Sequence, residues 1–136
     1  MQKAHLNPNV VSNPGGLYSQ LVKVDVGDAT FLYLAGQVGE DKDGNVVSEG
    51  DLAAQAEQIY ANIQAILATE DAGLSDIVRA TTYITDMSKR SVVSAIRKRL
   101  FPVNPPATSL VGVSALAGEQ WLIEVEVTAV IPRKTG

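Results

Sequence analysis

Residues 121–131, WLIEVEVTAVI, alternate without a break, and that alternation constrains the fold more tightly than any other stretch. Trp121, Ile123, Val125, Val127, Ala129 and Ile131 share one parity; Leu122, Glu124, Glu126, Thr128 and Val130 share the other. A period of two sends the two sets to opposite faces of a sheet. The first face is wholly apolar and has to be covered by other elements. The second carries two carboxylates, Glu124 and Glu126, among apolar neighbours. In open water they are ordinary acids; covered, they need partners and become site candidates.

The remaining segments supply what can do the covering. Asn104-Pro105-Pro106 makes a corner, residues 107–114 read as a strand, and Gly118 lies in the loop before the final run. At the other end, Asn7-Pro8, Asn13-Pro14 and Gly15-Gly16 are turn signals, so residues 1–16 are expected to be loosely ordered. Residues 17–26 alternate as a first strand. Gly27-Asp28 is a turn, and 30–37, TFLYLAGQ, form a second strand that is apolar at both parities. Such a strand is buried on both faces. In DKDGN, residues 41–45, glycine comes fourth, whereas an EF-hand calcium loop needs it sixth; the segment reads as an Asp-Gly turn.

Ser48 and Asp51 have capping-box spacing. Leu52, Ala56, Ile59, Ile63, Ile66 and Leu67 then form one helical stripe, expected to end at Gly73. Residues 77–86 alternate as a third strand. A second helix is expected from Ser88, with Val92, Val93, Ile96 and Leu100 as its apolar stripe. It stops at Pro102, because Phe101 before a proline is pushed out of the helical region.

This order predicts an α+β sandwich, with two helices on one face of a mixed sheet. The other face, with Phe31, Tyr33 and the last strands, would be a large apolar surface, and self-association is the simplest way to cover it. The 136 residues suit a single domain, 1–136, and 46% apolar content suits a packed core. There is no cysteine and one histidine, His5. Disulfides, thiolate metal sites and thiol nucleophiles are thereby excluded, and a Ser-His pair or a histidine-rich metal site is disfavoured. A formal charge of −4 weighs against nucleic acid as partner. Lys89, Arg90, Arg97, Lys98 and Arg99 make the second helix basic, which reads as a solvated face without the aromatic interleaving of an RNA binder. No signal-peptide pattern and no apolar run near ~18 residues is present, so a cytoplasmic protein without a membrane span is expected.

Five short motifs carry a resemblance. Tyr18-Ser19-Gln20, Leu34-Ala35-Gly36-Gln37, Thr85-Asp86-Met87, Asn104-Pro105-Pro106-Ala107 and Ile123-Glu124-Val125-Glu126 stand in order and at about the spacing of the YjgF/YER057c/UK114 family, also called the Rid (reactive intermediate deaminase) family. The resemblance runs from residue 17 to 132. It implies a chorismate-mutase-like fold and a homotrimer with helices outside and sheets facing inward. Small ligands would bind in clefts between subunits, without cofactor or metal. The activity it implies is hydrolysis of reactive enamines or imines to a carbonyl compound and ammonia.

By the same resemblance Glu124 lies near the ligand as the catalytic group that positions water. Adding water to C=N needs an oriented water and a proton donor, with no covalent nucleophile. The plainer alternative is that Glu124 pairs with a basic group inside the trimer. Tyr18 would stack on or hydrogen-bond the ligand, or else pack at a subunit contact. Gly36 would offer its backbone at close range. Ala35 stands where the family commonly has serine, Leu110 where cysteine is frequent, and Ser88 where asparagine is often seen. Thr108 stands where the family motif Ala-Arg-Ser has its arginine, whose planar guanidinium grips a substrate carboxylate. Without it, weak action on 2-imino acids is expected, and a substitute cation would come from Arg90, Arg97 or Arg133. The other readings on the same fold are a non-catalytic metabolite-binding or regulatory trimer and, third, an RNA-cleaving relative.

Overall fold

The computed structural model describes residues 1–134. Among them are seven strands: β1 (Gln2–Leu6), β2 (Leu21–Val26), β3 (Ala29–Leu34), β4 (Gln37–Val38), β5 (Ile77–Ile84), β6 (Ala107–Gly112) and β7 (Ile123–Pro132). Two α-helices, α1 (Leu52–Ala68) and α2 (Arg90–Leu100), join them. The sheet runs β1-β2-β3-β7-β5-β6, with β4 also on β7. Only the β5–β6 pairing is parallel, so the sheet is mixed, as expected. α2 supplies the crossover that a parallel pair requires.

The alternating run becomes β7, a central strand. Ile123, Val125, Val127, Ala129 and Ile131 are all buried, while Glu124, Thr128 and Val130 are half-buried and Glu126 is exposed. The apolar face meets the α1 stripe of Ile59, Ile63, Ile66 and Leu67 and the α2 residues Val93 and Ile96 in one cluster. Both helices therefore lie on one side of the sheet.

Three expectations are corrected. Residues 1–16 are not loose throughout: residues 2–6 pair with β2, from Gln2 opposite Asp25 to Leu6 opposite Leu21. Only Ala4 and Leu6 of this edge strand are half-buried, so backbone pairing rather than apolar burial holds it, and periodicity has little to detect. The cap of α1 is Asp51, whose side chain accepts from Ala54 N at 3.0 Å, and not Ser48. Ser48 (φ 53) and Gly50 (φ 83) form the preceding turn. A cap has to sit directly before the first helical residue, here Leu52. The helix also ends at Ala68, before Gly73; Asp71 takes the left-handed conformation (φ 56), and Ala72 N donates to Leu67 O at 3.0 Å.

β3 shows both of its faces. Thr30, Leu32 and Leu34 are buried under the helices; Phe31 is half-buried and Tyr33 is 45% exposed. Their rings stack at 6.3 Å. Val22 and Val24 of β2 lie opposite Tyr33 and Phe31, and Val130 of β7 lies opposite Phe31 on the other flank. The two-sided apolar character of this strand therefore leaves an open apolar face on the single chain.

Candidate active-site cleft

The cleft begins at a fault in the β3–β7 ladder. Tyr33 lies opposite Thr128, and Gln37 lies opposite Val125. Four residue steps on one strand thus face three on the other, an extra residue that makes a β-bulge. Its effect is visible in the burial parity: Thr30, Leu32 and Leu34 are buried before it, Gln37 and Gly39 after it. Ala35 and Gly36 sit within the irregular stretch, and Glu124, opposite Val38, lies just past it.

At Gly36 the backbone comes against the Glu124 side chain. A Cβ built on Gly36 would lie 2.5 Å from Glu124 Oε2 and 2.9 Å from its Cδ. No residue with a side chain fits there while the carboxylate keeps its place. Glycine is required for this close approach, not for its φ.

Buried amides hold the surrounding loops. Gln37 Nε2 donates to Gln20 Oε1 at 2.8 Å, and Ala35 N donates to Gln20 O at 3.0 Å. Gln20 Nε2 in turn donates to Ser12 O at 2.9 Å. This chain ties the Tyr18 loop to the bulge. On the opposite side Gln55, fully buried on α1, donates from Nε2 to Gln120 O at 3.0 Å and accepts from Leu122 N at 2.9 Å. It fixes the entry of β7 and therefore the position of Glu124. Gly39 makes room, since a Cβ there would lie 2.8 Å from Gln55 Cβ.

Tyr18, Ala35, Gly36, Val38, Glu40, Ala117, Trp121 and Glu124 together line a cleft of about 410 Å³. Four of the five site residues expected from the sequence, Glu124, Tyr18, Ala35 and Gly36, are thus brought together. Thr108 is not with them. It lies on β6 at the far side of the sheet, in a second groove with Arg97 and Phe101.

The cleft is acid-lined. Burial pushes the Glu124 carboxyl above its usual range, and the neighbouring Glu126 raises it further. No group among the described residues donates to the Glu124 carboxylate, so its oxygens are free for a ligand or water. Burial also raises the Tyr18 hydroxyl, assisted by Glu40 and Glu124. Glu126 is engaged, accepting from the Tyr83 hydroxyl at 2.9 Å. Among the described residues no cluster of His, Asp or Glu is placed to hold a metal, and no helix is long and apolar enough to cross a membrane.

Sequence reasoning missed Glu40 and Gln55. Gln55 left a signal, a polar residue between Leu52 and Ile59 on the apolar stripe. Glu40 left none, because its approach to Tyr18 depends on the bulge.

The profile described as Endoribonuclease L-PSP matches residues 11–131. Protein DfrA of Myxococcus xanthus is 41% identical over 101 residues, 74% of this chain and 76% of that protein. Human 2-iminobutanoate/2-iminopropanoate deaminase is 32% identical over 116 residues, 85% of this chain and 80% of its own length. Among solved structures, YyfA of Yersinia pestis, a protein of the conserved Rid family, superposes with a TM-score of 0.84 at 31% identity, covering 96% of this chain and all of its own.

Proposed function

The chain belongs to the YjgF/YER057c/UK114 (Rid) family, and on that premise we propose that it hydrolyses a reactive imine or enamine to a carbonyl compound and ammonia. The observation that carries the proposal is the half-buried, unpaired Glu124 carboxylate, held against the Gly36 backbone and raised in proton affinity. Such a group orients water and takes its proton as the oxygen bonds to the C=N carbon, then gives a proton to nitrogen. The atoms balance as R₂C=NH₂⁺ plus H₂O giving R₂C=O plus NH₄⁺. The carbinolamine formed first loses ammonia when its C–N bond breaks. Tyr18, whose hydroxyl is pushed up by burial and by the nearby Glu40 and Glu124, is a hydrogen-bond donor to the ligand. Names borne by relatives, including the human 2-iminobutanoate/2-iminopropanoate deaminase, support the reaction class.

The charge of the cleft narrows the substrate. Glu40 and Glu124 line it, and no lining residue is cationic. A protonated imine is favoured there, and a substrate carboxylate is opposed. Imines without a free carboxylate are the better substrates, and 2-imino acids the poorer ones. We place this chain in a cytoplasmic homotrimer, with the open Val22, Val24, Phe31, Tyr33 and Val130 face turned towards neighbouring copies. A neighbour is then needed to bring its Thr108 near the Glu124 cleft.

Two measurements test the reading. Light scattering after size exclusion should report three chains at micromolar concentration; a stable monomer removes the inter-subunit cleft. Carbonyl and ammonia release should be followed for imines of neutral amines and for imino acids made in situ by an amino-acid oxidase, with semicarbazide as competing trap. Glu124→Gln should abolish release. Activity unchanged in that variant refutes the mechanism, and no turnover of any imine transfers the lead to a non-catalytic binding protein.

A further inference from the structure

Hydrolysis of an imine at Glu124 needs one carboxylate, yet the cleft holds two. The second, Glu40, is half-buried and fixed at both ends. Its backbone carbonyl accepts from Nδ2 of the buried Asn62 on α1 at 2.9 Å, and its N–H donates to Val38 O at 2.7 Å. At the tip, Ser12 Oγ donates to Oε1. Two backbone anchors and a hydroxyl thus set the direction of a side chain that water would otherwise leave free among its rotamers.

The tie to Ser12 uses one oxygen. The other, Oε2, accepts no hydrogen bond among the described residues, and no Lys or Arg among them pairs with Glu40. Holding the Ser12 segment does not require a charge, because Gln20 Nε2 already donates to Ser12 O at 2.9 Å. Glu40 stands two residues past Val38, the partner of Glu124, so the two carboxylates rise from neighbouring but distinct backbone positions. Burial raises the Tyr18 hydroxyl, and the charge of Glu40 adds more than that of Glu124. Both acids therefore lie near the same phenol. Apart from that hydroxyl, the rest of the wall is Ala35, Gly36, Val38, Ala117 and Trp121.

We propose that Glu40 is the specificity-determining residue of this cleft: it pairs with a primary ammonium at the far end of the substrate, so that the imine hydrolysed at Glu124 is an amino-imine. The assignment rests on the imine-hydrolysis reading and names its substrate class. Two carboxylates, no lining cation and an otherwise apolar wall match a ligand with two cationic ends and a short apolar spacer. Tyr18 and Trp121 add aromatic faces that favour such a ligand further. An imine without the second cation leaves Glu40 partly desolvated with no counter-ion. The reaction is H₃N⁺–R–CH=NH₂⁺ plus H₂O giving H₃N⁺–R–CHO plus NH₄⁺, and the far ammonium is unchanged by it. Oxidation of a diamine at one C–N bond supplies this substrate, which places an amine oxidase or amine dehydrogenase upstream.

Amidines test the assignment by calorimetric titration of the full chain, because an amidinium keeps the planar C=NH₂⁺ group and resists hydrolysis. The better of 3- and 4-(aminomethyl)benzamidine should bind at least about tenfold more tightly than its hydroxymethyl counterpart, which lacks the second charge. Glu40→Gln retains an oxygen for Ser12 and should erase that preference, whereas Glu124→Gln should weaken both ligands and keep it. Turnover is read in parallel on imines made in situ by an amine oxidase from 1,4-bis(aminomethyl)benzene and from benzylamine, and Glu40→Gln should raise KM for the first far more than for the second. Equal affinity for the charged and uncharged amidines overturns the proposal, as does a preference that survives Glu40→Gln or falls equally in Glu124→Gln. The two readings fail separately. If neither imine is turned over while the Glu40-dependent preference stands, the reaction is wrong and recognition of the second ammonium holds; if both are turned over with no such preference, the reaction stands and the role of Glu40 is refuted.

Discussion

Gly36→Ala is the sharpest probe of the cleft, because the structure separates its effect on catalysis from its effect on stability. The new Cβ would sit 2.5 Å from Glu124 Oε2, 2.9 Å from Cδ and 3.2 Å from Cγ. Ordinary contact is about 3.5 Å, so the carboxylate has to retreat by roughly 1 Å. The obstacle is the end of a side chain, so Glu124 can turn away at a cost of about 0.5–1.5 kcal/mol. Alanine also restricts the unfolded chain, which returns about 0.4–1 kcal/mol. Net stability should change by less than about 1 kcal/mol. In the proposed reaction the rate depends on where the carboxylate holds water, so a displacement of this size should cost about a hundredfold. Parallel calorimetric melting and imine turnover read the two effects. Combined with Glu124→Gln, Gly36→Ala should add almost nothing, because both act through one group. A folded Gly36→Ala with undiminished turnover would refute the claim that the observed Glu124 position is the catalytic one. A large loss of stability would refute the claim that only the carboxylate has to move.

Gln55→Ala removes two buried hydrogen bonds and leaves Gln120 O and Leu122 N unpaired, so denaturant unfolding should show a loss of about 2–4 kcal/mol; a loss below about 1 kcal/mol would mean that the loop is held by other contacts. Glu124→Gln should stabilise the fold at neutral pH, as judged by melting temperature. The folded carboxyl binds its proton more tightly than the unfolded one, so its stability is full below the unfolded pKa and is lost as pH rises through the raised folded value. The advantage of the glutamine variant should therefore disappear on acidification; a pH-independent difference contradicts the assigned shift. Thr108→Arg should improve turnover of 2-imino acids about ten- to a hundredfold, corresponding to roughly 1.5–3 kcal/mol for a charge-assisted bond. If it leaves imino-acid turnover unchanged, while the unmodified chain already matches an arginine-bearing relative, the anchor argument fails.

Much of the architecture is written in the spacing of apolar residues. The parity of 121–131 assigns Ile123, Val125, Val127, Ala129 and Ile131 to the core and sets Glu124 on the other face. The stripe from Leu52 to Leu67 is buried as its spacing requires, and the proline after Phe101 ends α2 where steric exclusion demands. These features are local, each decided by residues a few positions apart, and so they can be read along the chain.

What remained hidden depends on residues far apart in sequence. β1 forms because β2 presents open backbone groups to it, although the segment itself buries little. The bulge between Tyr33 and Gln37 is a relation between two strands, and alternation gives a strand's faces but not its register against a neighbour. That single extra residue brings Gly36 onto Glu124 and, with the Gln20–Gln37 contact, gathers Tyr18 and Glu40 to the same cleft. Thr108 could be named from its motif, yet its separation from Glu124 follows from which side of β6 it occupies at the sheet edge. Sequence alone determined most of the elements and their buried faces, and set Glu124 on the face away from the helices. The tertiary structure decided register, and register decides which side chains meet, because a shift of one residue carries every side chain on a strand to the opposite face.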